Sequence, residues 1–429
     1  MFKIEFAGTG GALPLKNRNL SSAVLSYDGR KLLLDCGEGT QKSLLHLHTG
    51  FVNIDIICLS HLHGDHIFGL PGLLCTMGMA KRTNDLLILA PKGSRNLLSQ
   101  FICLVGRQSY GIYVLEMDGS FTPSDLYSRG PLALVRTSDG YKISLALSDP
   151  QVINAAGFYC LLSKKTDELC KSTDLPPAAA QDPANTKLET LFPECNLFYQ
   201  PQTPAALQKQ SRLQKQLSRY ENLSLTPEPD FPADLYINAA AQKHSVPCLG
   251  FRFDFYQSGK FSSNKAMALG IFQGFWSFLQ QGYHLSYRYK GQDYEFSSHE
   301  VLGESRHKFS LAYVTDTRPL ACNNEFLRAV EVLISESNYA LEDKLPLAVK
   351  NRHMTMKEAC LQAANAQVKA LILTHFSASL IEPETYLDYA RSFFKNSYIA
   401  RDLDTFILTD AAQATWQQIS AQKEADYEC

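Results

Sequence analysis

Three histidines and an aspartate fall within six residues, His61-Leu62-His63-Gly64-Asp65-His66, directly behind the apolar run Ile54-Asp55-Ile56-Ile57-Cys58-Leu59. A short apolar run of this kind reads as a buried strand, so the polar cluster leaves the strand end as a group. Residues two apart in an extended segment point the same way, which lets His61 and His63 share a target. Gly64 is expected to permit the sharp turn that brings Asp65 and His66 round. Imidazole and carboxylate are donors that zinc accepts, and a catalytic zinc needs them to leave one position open for water. The chain must therefore fold so that a buried strand ends on a metal site.

One such cluster cannot close two metal shells, so a two-metal centre needs at least one further His per metal and a carboxylate able to bridge them. The candidates leave apolar runs as the first cluster does. His375 follows Ala370-Leu371-Ile372-Leu373-Thr374, and Asp316 follows Leu311-Ala312-Tyr313-Val314-Thr315. Each alone reads equally well as a helix cap or a satisfied polar residue; as members of a set needing these donors, the metal role is favoured. His244, in Lys243-His244-Ser245-Val246-Pro247, has weaker local support. Asp35, behind Lys31-Leu32-Leu33-Leu34, suits either a buried carboxylate that orients a ligand or the N-cap of the segment after it. His46, His48, His284, His299 and His307 stand in polar or helical surroundings and read as non-ligands. Gly8-Thr9-Gly10-Gly11 lacks the third glycine and the later acidic residue of a dinucleotide site and reads as a tight turn.

Strand-like runs recur at 2–7, 31–34, 54–59, 86–90, 311–314, 332–335 and 370–374, and a helical pattern covers Met356 to Ala366. This predicts a layered α/β protein. A chain of 429 residues with 45% apolar composition suits one large domain with an insertion, or two domains. The stretch 149–234, with Pro176-Pro177 and Pro227-Glu228-Pro229, has loop composition and reads as that insertion. Within it Thr203 to Tyr220 has helix character, and Lys209, Arg212, Lys215 and Arg219 share one side. That side suits RNA, although a solvated surface face is the commoner meaning of so short a pattern. The formal charge of −2 gives no overall pull toward nucleic acid. Eleven scattered cysteines without a CxxC pair read as reduced thiols, mostly buried. No secretory leader is visible, and no uncharged apolar run reaches the roughly 18 residues of a membrane span, so a cytoplasmic protein without a membrane partner is expected.

Together these residues resemble ribonuclease Z, the tRNA 3′-processing endoribonuclease of the metallo-β-lactamase superfamily. Phe6-Ala7-Gly8-Thr9-Gly10 is similar to the family's opening strand and turn, and Pro14-Leu15-Lys16-Asn17-Arg18-Asn19 to its P-x-K-x-R-N loop. Leu34 to Gln41 and His61 to His66 resemble its first two superfamily motifs, and Lys243-His244-Ser245-Val246-Pro247 with Gly250-Phe251-Arg252 its third. Thr315 to Pro319, Ser335-Glu336-Ser337, His353-Met354-Thr355 and Leu373 to Ser377 resemble the bridging-aspartate, Glu, H-x-T and last ligand motifs.

The resemblance implies a four-layer αββα sandwich of the metallo-β-lactamase type spanning 1–429, with the 149–234 insertion and a small protruding tRNA-binding arm at 257–285. In that arm Gly274-Phe275 stands where the family has Gly-Pro. It implies two Zn2+, one held by His61, His63 and His244, the other by Asp65, His66 and His375, with Asp316 bridging. Zinc beside a phosphodiester lowers the pKa of water and neutralises developing charge; Asp65 would serve as base or orienter. The leaving 3′-oxygen needs an acid, and His353 oriented by Glu336 fits, although locally His353 reads as a surface residue. The implied activity is removal of the 3′ trailer from precursor tRNA by a homodimer; the alternative is a hydrolase of this fold acting on another phosphodiester or ester.

Overall fold

The structure is a computed structural model. It describes residues 2–120, 219–227, 235–410 and 415–420, apart from positions 28, 107, 258 and 281, together with the backbone of the strands Leu132–Thr137, Gly140–Ser144 and Phe158–Leu162. Most of the 149–234 stretch, including the helical pattern over 203–218, lies outside the described residues.

Strands that read as continuous apolar runs must be covered on both faces, and these are. One sheet has nine strands, in the order 158–162, 112–117, 86–91, 54–58, 30–34, 22–27, 2–8, 405–410 and 415–419. The other has eight, in the order 397–399, 370–374, 332–336, 306–314, 248–257, 235–242, 132–137 and 140–144. In each, one run of neighbours is parallel: 30–34 through 112–117 in the first, 306–314 through 397–399 in the second.

Period-two alternation assigns the faces. Ile56, Cys58, Leu87 and Leu89 of the first sheet meet Phe251, Phe253, Leu311, Tyr313, Ile334 and Ile372 of the second in a shared core. Ile57, Leu59, Leu86 and Ile88 face the other way, onto the helices Leu70–Met79 and Arg95–Val105. Leu333, Leu371 and Leu373 likewise face the helices Met356–Asn365 and Leu387–Phe393. Helix, sheet, sheet, helix is the expected four-layer order. Strand reading succeeded where runs were apolar throughout and passed over 22–27, 112–117, 235–242 and 248–257, all of which are strands.

Between the strands Cys248–Gln257 and Arg306–Val314 the chain builds a small unit with its own core of Ala266, Ile271, Phe275, Leu279, Leu285, Tyr287, Phe296 and Val301. Its sheet pairs Tyr283–Tyr289 with Gln292–Phe296 and with Glu221–Pro227, so the unit runs on past residue 285 and takes in residues ahead of the third motif. Arg219, from the basic pattern, lies 4.7 Å over the Phe272 ring centroid. The seven described cysteines are all free, and four are buried. No helix among the described residues is long and apolar enough to cross a membrane.

Candidate metal centre

The parallel strands deliver their polar residues at their C-terminal ends, where α/β sheets offer a crevice to ligands. Asp35 follows the strand Arg30–Leu34, Ser60 and His61 follow Ile54–Cys58, Asp316 follows Arg306–Val314, Glu336 ends Val332–Glu336, and His375 follows Ala370–Thr374. Asp35, Asp316 and His375 all have positive φ, at 56°, 48° and 56°. A left-handed residue turns the chain sharply and costs a side-chain-bearing residue on the order of 1–3 kcal/mol, a cost borne at three positions of one site.

Gly64 has a different role from the one expected. It opens the short helix Gly64–Ile67 and lies outside the positive-φ set. A Cβ there would meet the outer edge of the exposed Phe68 ring at 2.5 Å, a contact that a shift of that ring relieves. Gly10–Gly11 is also no tight turn: it is a short strand parallel to Phe376–Ser377, and a Cβ on Gly11 would lie 2.5 Å from the His375 ring.

Two groups of donors converge. In the first, His61 Nε2 is 3.0 Å from His63 Nδ1, His63 Nδ1 is 3.2 Å from His244 Nε2, and Asp316 Oδ2 is 3.5 Å from His61 Nε2 and 3.7 Å from His244 Nε2. In the second, His66 Nε2 is 3.2 Å from His375 Nε2, and Asp65 Oδ2 is 3.5 and 3.6 Å from these two nitrogens. Asp316 Oδ1 reaches this group at 3.5 Å from His66 and 3.1 Å from His375. Ligands at roughly 2.0–2.2 Å around a tetrahedral zinc stand roughly 3.3–3.6 Å apart; the separations here, 3.0–3.7 Å, bracket that range and suit a metal's ligand shell. The two oxygens of Asp316 divide between the groups.

The tautomers point the same way, and they can be inferred from the hydrogen bonds. Asp35 is fully buried, and its Oδ2 accepts from His66 Nδ1 at 2.7 Å, Ser60 Oγ at 2.8 Å and Tyr313 OH at 2.7 Å. His66 therefore carries its proton on Nδ1 and turns a lone pair at Nε2 toward His375. Ser60 spends its one hydrogen on Asp35, so it accepts from His61 Nδ1 at 3.0 Å, which leaves His61 Nε2 a lone pair as well. Facing lone pairs repel unless a cation or proton lies between them, so the donor set fits a metal. Asp35 thus orients a ligand; the cap of the helix Thr40–His46 is Gly39, which removes the N-cap reading.

Without a cation between them the facing nitrogens share a proton instead: burial opposes a charge on His66, but Asp316 and Asp35 push its pKa well above the usual value. Burial, together with His66, pushes the His61 pKa well below its usual value. Burial would raise the Asp65 and Asp316 carboxyls, yet the neighbouring histidines hold both far below the usual range.

His353 also arrives here, which its local sequence does not announce. Its Nδ1 lies 3.1 Å from Glu336 Oε2, and its ring sits 5.3 and 5.6 Å from those of His244 and His375. Burial opposes its charge, but Glu336, by charge and hydrogen bond, together with Asp316 and Asp65 pushes its pKa up to about 9. Glu336, fully buried, also accepts from Met354 N at 3.1 Å and from Thr317 N. Every residue singled out for the site is thus within this crevice, whereas His284 and His307 pair with Glu295 and Glu331 elsewhere. Ser60, Tyr313 and Asn338, whose amide lies 3.3 Å from His375 Nδ1, were missed. Only Ser60, wedged between the strand and His61, had a sequence signal.

The chain is 31% identical over 408 residues to a ribonuclease Z from Clostridium perfringens, covering 95% of this chain and 99% of that protein. It is 31% identical over 402 residues to one from Clostridium tetani, covering 94% and 97%. The crystal structure of human tRNase Z, short form, superposes with a TM-score of 0.49 at 18% identity, covering 94% of this chain and 98% of that one. Residues 2–220, just over half of the chain, match the family model described as Anti-Pycsar protein Apyc1. The chain therefore belongs to the ribonuclease Z family over nearly its whole length, and through residues 2–220 also to the family described as Anti-Pycsar protein Apyc1.

Proposed function

We propose that the protein is a zinc-dependent endoribonuclease that removes the 3′ trailer from precursor tRNA. The observation that carries this reading is the Asp316 carboxylate, divided between two donor groups whose spacing suits a metal pair, in a chain of the ribonuclease Z family. In this reading His61, His63 and His244 would hold one Zn2+ and Asp65, His66 and His375 the other, with Asp316 offering an oxygen to each group. When bound, the ions would supply Lewis acidity toward the phosphodiester and a lowered pKa for water. Asp65 orients the attacking water or takes its proton; its Oδ2 is itself fixed by the backbone N–H of Ala12 at 2.7 Å. His353, held by Glu336, donates a proton to the leaving 3′-oxygen.

The test is incubation of the purified protein, with and without chelator, with a precursor tRNA carrying a 3′ trailer, followed by mapping of the cut. Chelator-sensitive cleavage at the 3′ side of the acceptor stem is expected; hydrolysis of a model diester without cleavage of that RNA would overturn the substrate. A second reading, hydrolysis of another phosphodiester or ester at the same centre, is kept because residues 2–220 also match the family described as Anti-Pycsar protein Apyc1. A homodimer in which each arm serves the partner's site, and a cytoplasmic location, belong to the same proposal. Sedimentation of the purified protein tests the dimer.

A further inference from the structure

Arg318 joins three segments that the proposed mechanism uses. Its backbone N–H donates to Lys243 O at 3.2 Å, next to His244, and Lys243 N donates in return to Thr317 Oγ1 at 3.0 Å. Its guanidinium donates through Nη1 to the carbonyl of His353 and, at 2.8 Å, to Glu358 Oε2, and through Nη2 to Glu358 Oε1. Both side chains of this pair are largely buried, at 15% and 17% exposure. Glu358 in turn accepts from Thr355 N at 3.0 Å and closes the capping box that starts the helix Met356–Asn365. The three residues from His353 to Thr355 are thus pinned at the carbonyl of the first by Arg318, at the N–H of the last by Glu358, and at His353 Nδ1 and Met354 N by Glu336.

A planar guanidinium bridging a carbonyl and both oxygens of a carboxylate fixes distance and orientation together, which an ammonium cannot do. We propose that Arg318 and Glu358 are positioning residues for His353, setting its imidazole at the leaving-group side of the centre relative to Asp316. The inference rests on the reading of His353 as the leaving-group acid. Neither residue touches substrate; they act through His353.

The experiment uses two diesters that differ in their need for an acid. A ribonucleoside 3′-alkoxide, as in precursor tRNA or a dinucleoside phosphate, leaves only if protonated. A p-nitrophenolate, from an aryl phosphodiester, leaves without help. The readout is the ratio of kcat on the first to kcat on the second, with zinc content and thermal unfolding measured on each variant. His353→Ala serves as reference and should lower the ratio by about 10²–10⁴-fold.

Arg318→Lys and Glu358→Gln should each lower the ratio by about 10–100-fold, with KM and zinc content near those of the parent. Added to His353→Ala, Arg318→Lys should lower it no further, because residues acting through one group are not additive. Parallel loss on both substrates in Arg318→Lys and Glu358→Gln, with His353→Ala still selective, overturns the positioning role and leaves the acid intact. Equal loss on both substrates in His353→Ala overturns the acid and this inference together. Should tRNA fail as a substrate, the dinucleoside phosphate keeps the comparison. Glu358→Gln retains the capping geometry if Arg318→Lys folds poorly.

Discussion

Asp35 Oδ2 accepts a hydrogen bond from His66 Nδ1 at 2.7 Å, with both side chains fully buried. The same oxygen takes the Ser60 hydroxyl proton and so, one bond further on, sets the tautomer of His61. A single carboxylate therefore prepares one histidine in each donor group. Asp35→Asn should weaken zinc binding at both sites by about 10–100-fold, whereas Ser60→Ala should weaken only the His61 site. Competition with a chromogenic chelator, resolving two binding steps, checks this; selective loss of one step in Asp35→Asn counts against it.

Asp65 is bound to the chain by Ala12 N and to the second donor group by His66 and His375. Asp65→Ala should abolish cleavage, by at least about 10³-fold if it acts as both ligand and base, while precursor tRNA still binds. Gel-shift affinity and single-turnover cleavage separate the two effects. Undiminished cleavage refutes the role.

Gly11 lies against His375. An added methyl would stand 2.5 Å from Cε1 and 2.8 Å from Nε2 of that imidazole, so Gly11→Ala must displace a ligand. Activity and zinc affinity should both fall at least about tenfold, since outer contacts of this kind typically cost 10–100-fold. The neighbouring Gly10→Ala meets Asn19 O at 3.0 Å and the flexible arm of Arg18 at 3.2 Å and should lose less. Equal losses would mean that backbone distortion, and not the His375 contact, is responsible.

How legible the site was follows from how each residue is built into the chain. His61 to His66 stands out because four donors leave one strand end together, and Asp316 and His375 because each follows an apolar run. Glu336 also follows an apolar run, 332–335, but His353 gave no such signal: nothing local to it announces that it meets a carboxylate at a distant strand end. Asp35 stayed open between its two readings, and the Gly8–Gly11 turn was misjudged, for a shared reason. Local rules weigh a residue against its sequence neighbours, whereas Asp35 answers to His66 and Tyr313, and Gly11 to His375, all distant in sequence. The layers were legible because apolar runs covered on both faces demand them; the strands 235–242 and 248–257 mix in polar residues and hid.

Removal of the metal should destabilise the fold as well as stop the reaction. Anything that binds only the folded state stabilises it by mass action, and here the donors come from both sheets: His61, His63, Asp65 and His66 from the first, His244, Asp316 and His375 from the second. Chelation should lower Tm by several degrees, and zinc should restore it, most fully at zinc concentrations well above Kd. An unchanged Tm with activity lost would mean that the two sheets are held by their core alone.

Glu336, with Asp316 and Asp65, pushes His353 up to about 9 against the opposing effect of burial. A histidine with a raised pKa stays protonated below that value and loses its proton as pH rises through it, so the acid form persists across neutrality and disappears on the alkaline side. Glu336→Gln keeps the shape and hydrogen-bonding capacity but removes the charge. Burial is then opposed only by Asp316 and Asp65, and the pKa of His353 falls. The alkaline limb of kcat for tRNA cleavage should move to lower pH by more than about one unit, each unit being about 1.4 kcal/mol of interaction between the charges. Stability should shift in the same sense. Whatever His353 contributes is fully present below its unfolded pKa of roughly 6.5 and fades as pH rises toward 9, and Glu336→Gln should flatten that slope. Both proteins carry the same metal ligands, so the difference between their profiles reports Glu336 alone. An alkaline limb that stays in place in Glu336→Gln shows that some other group supplies the proton.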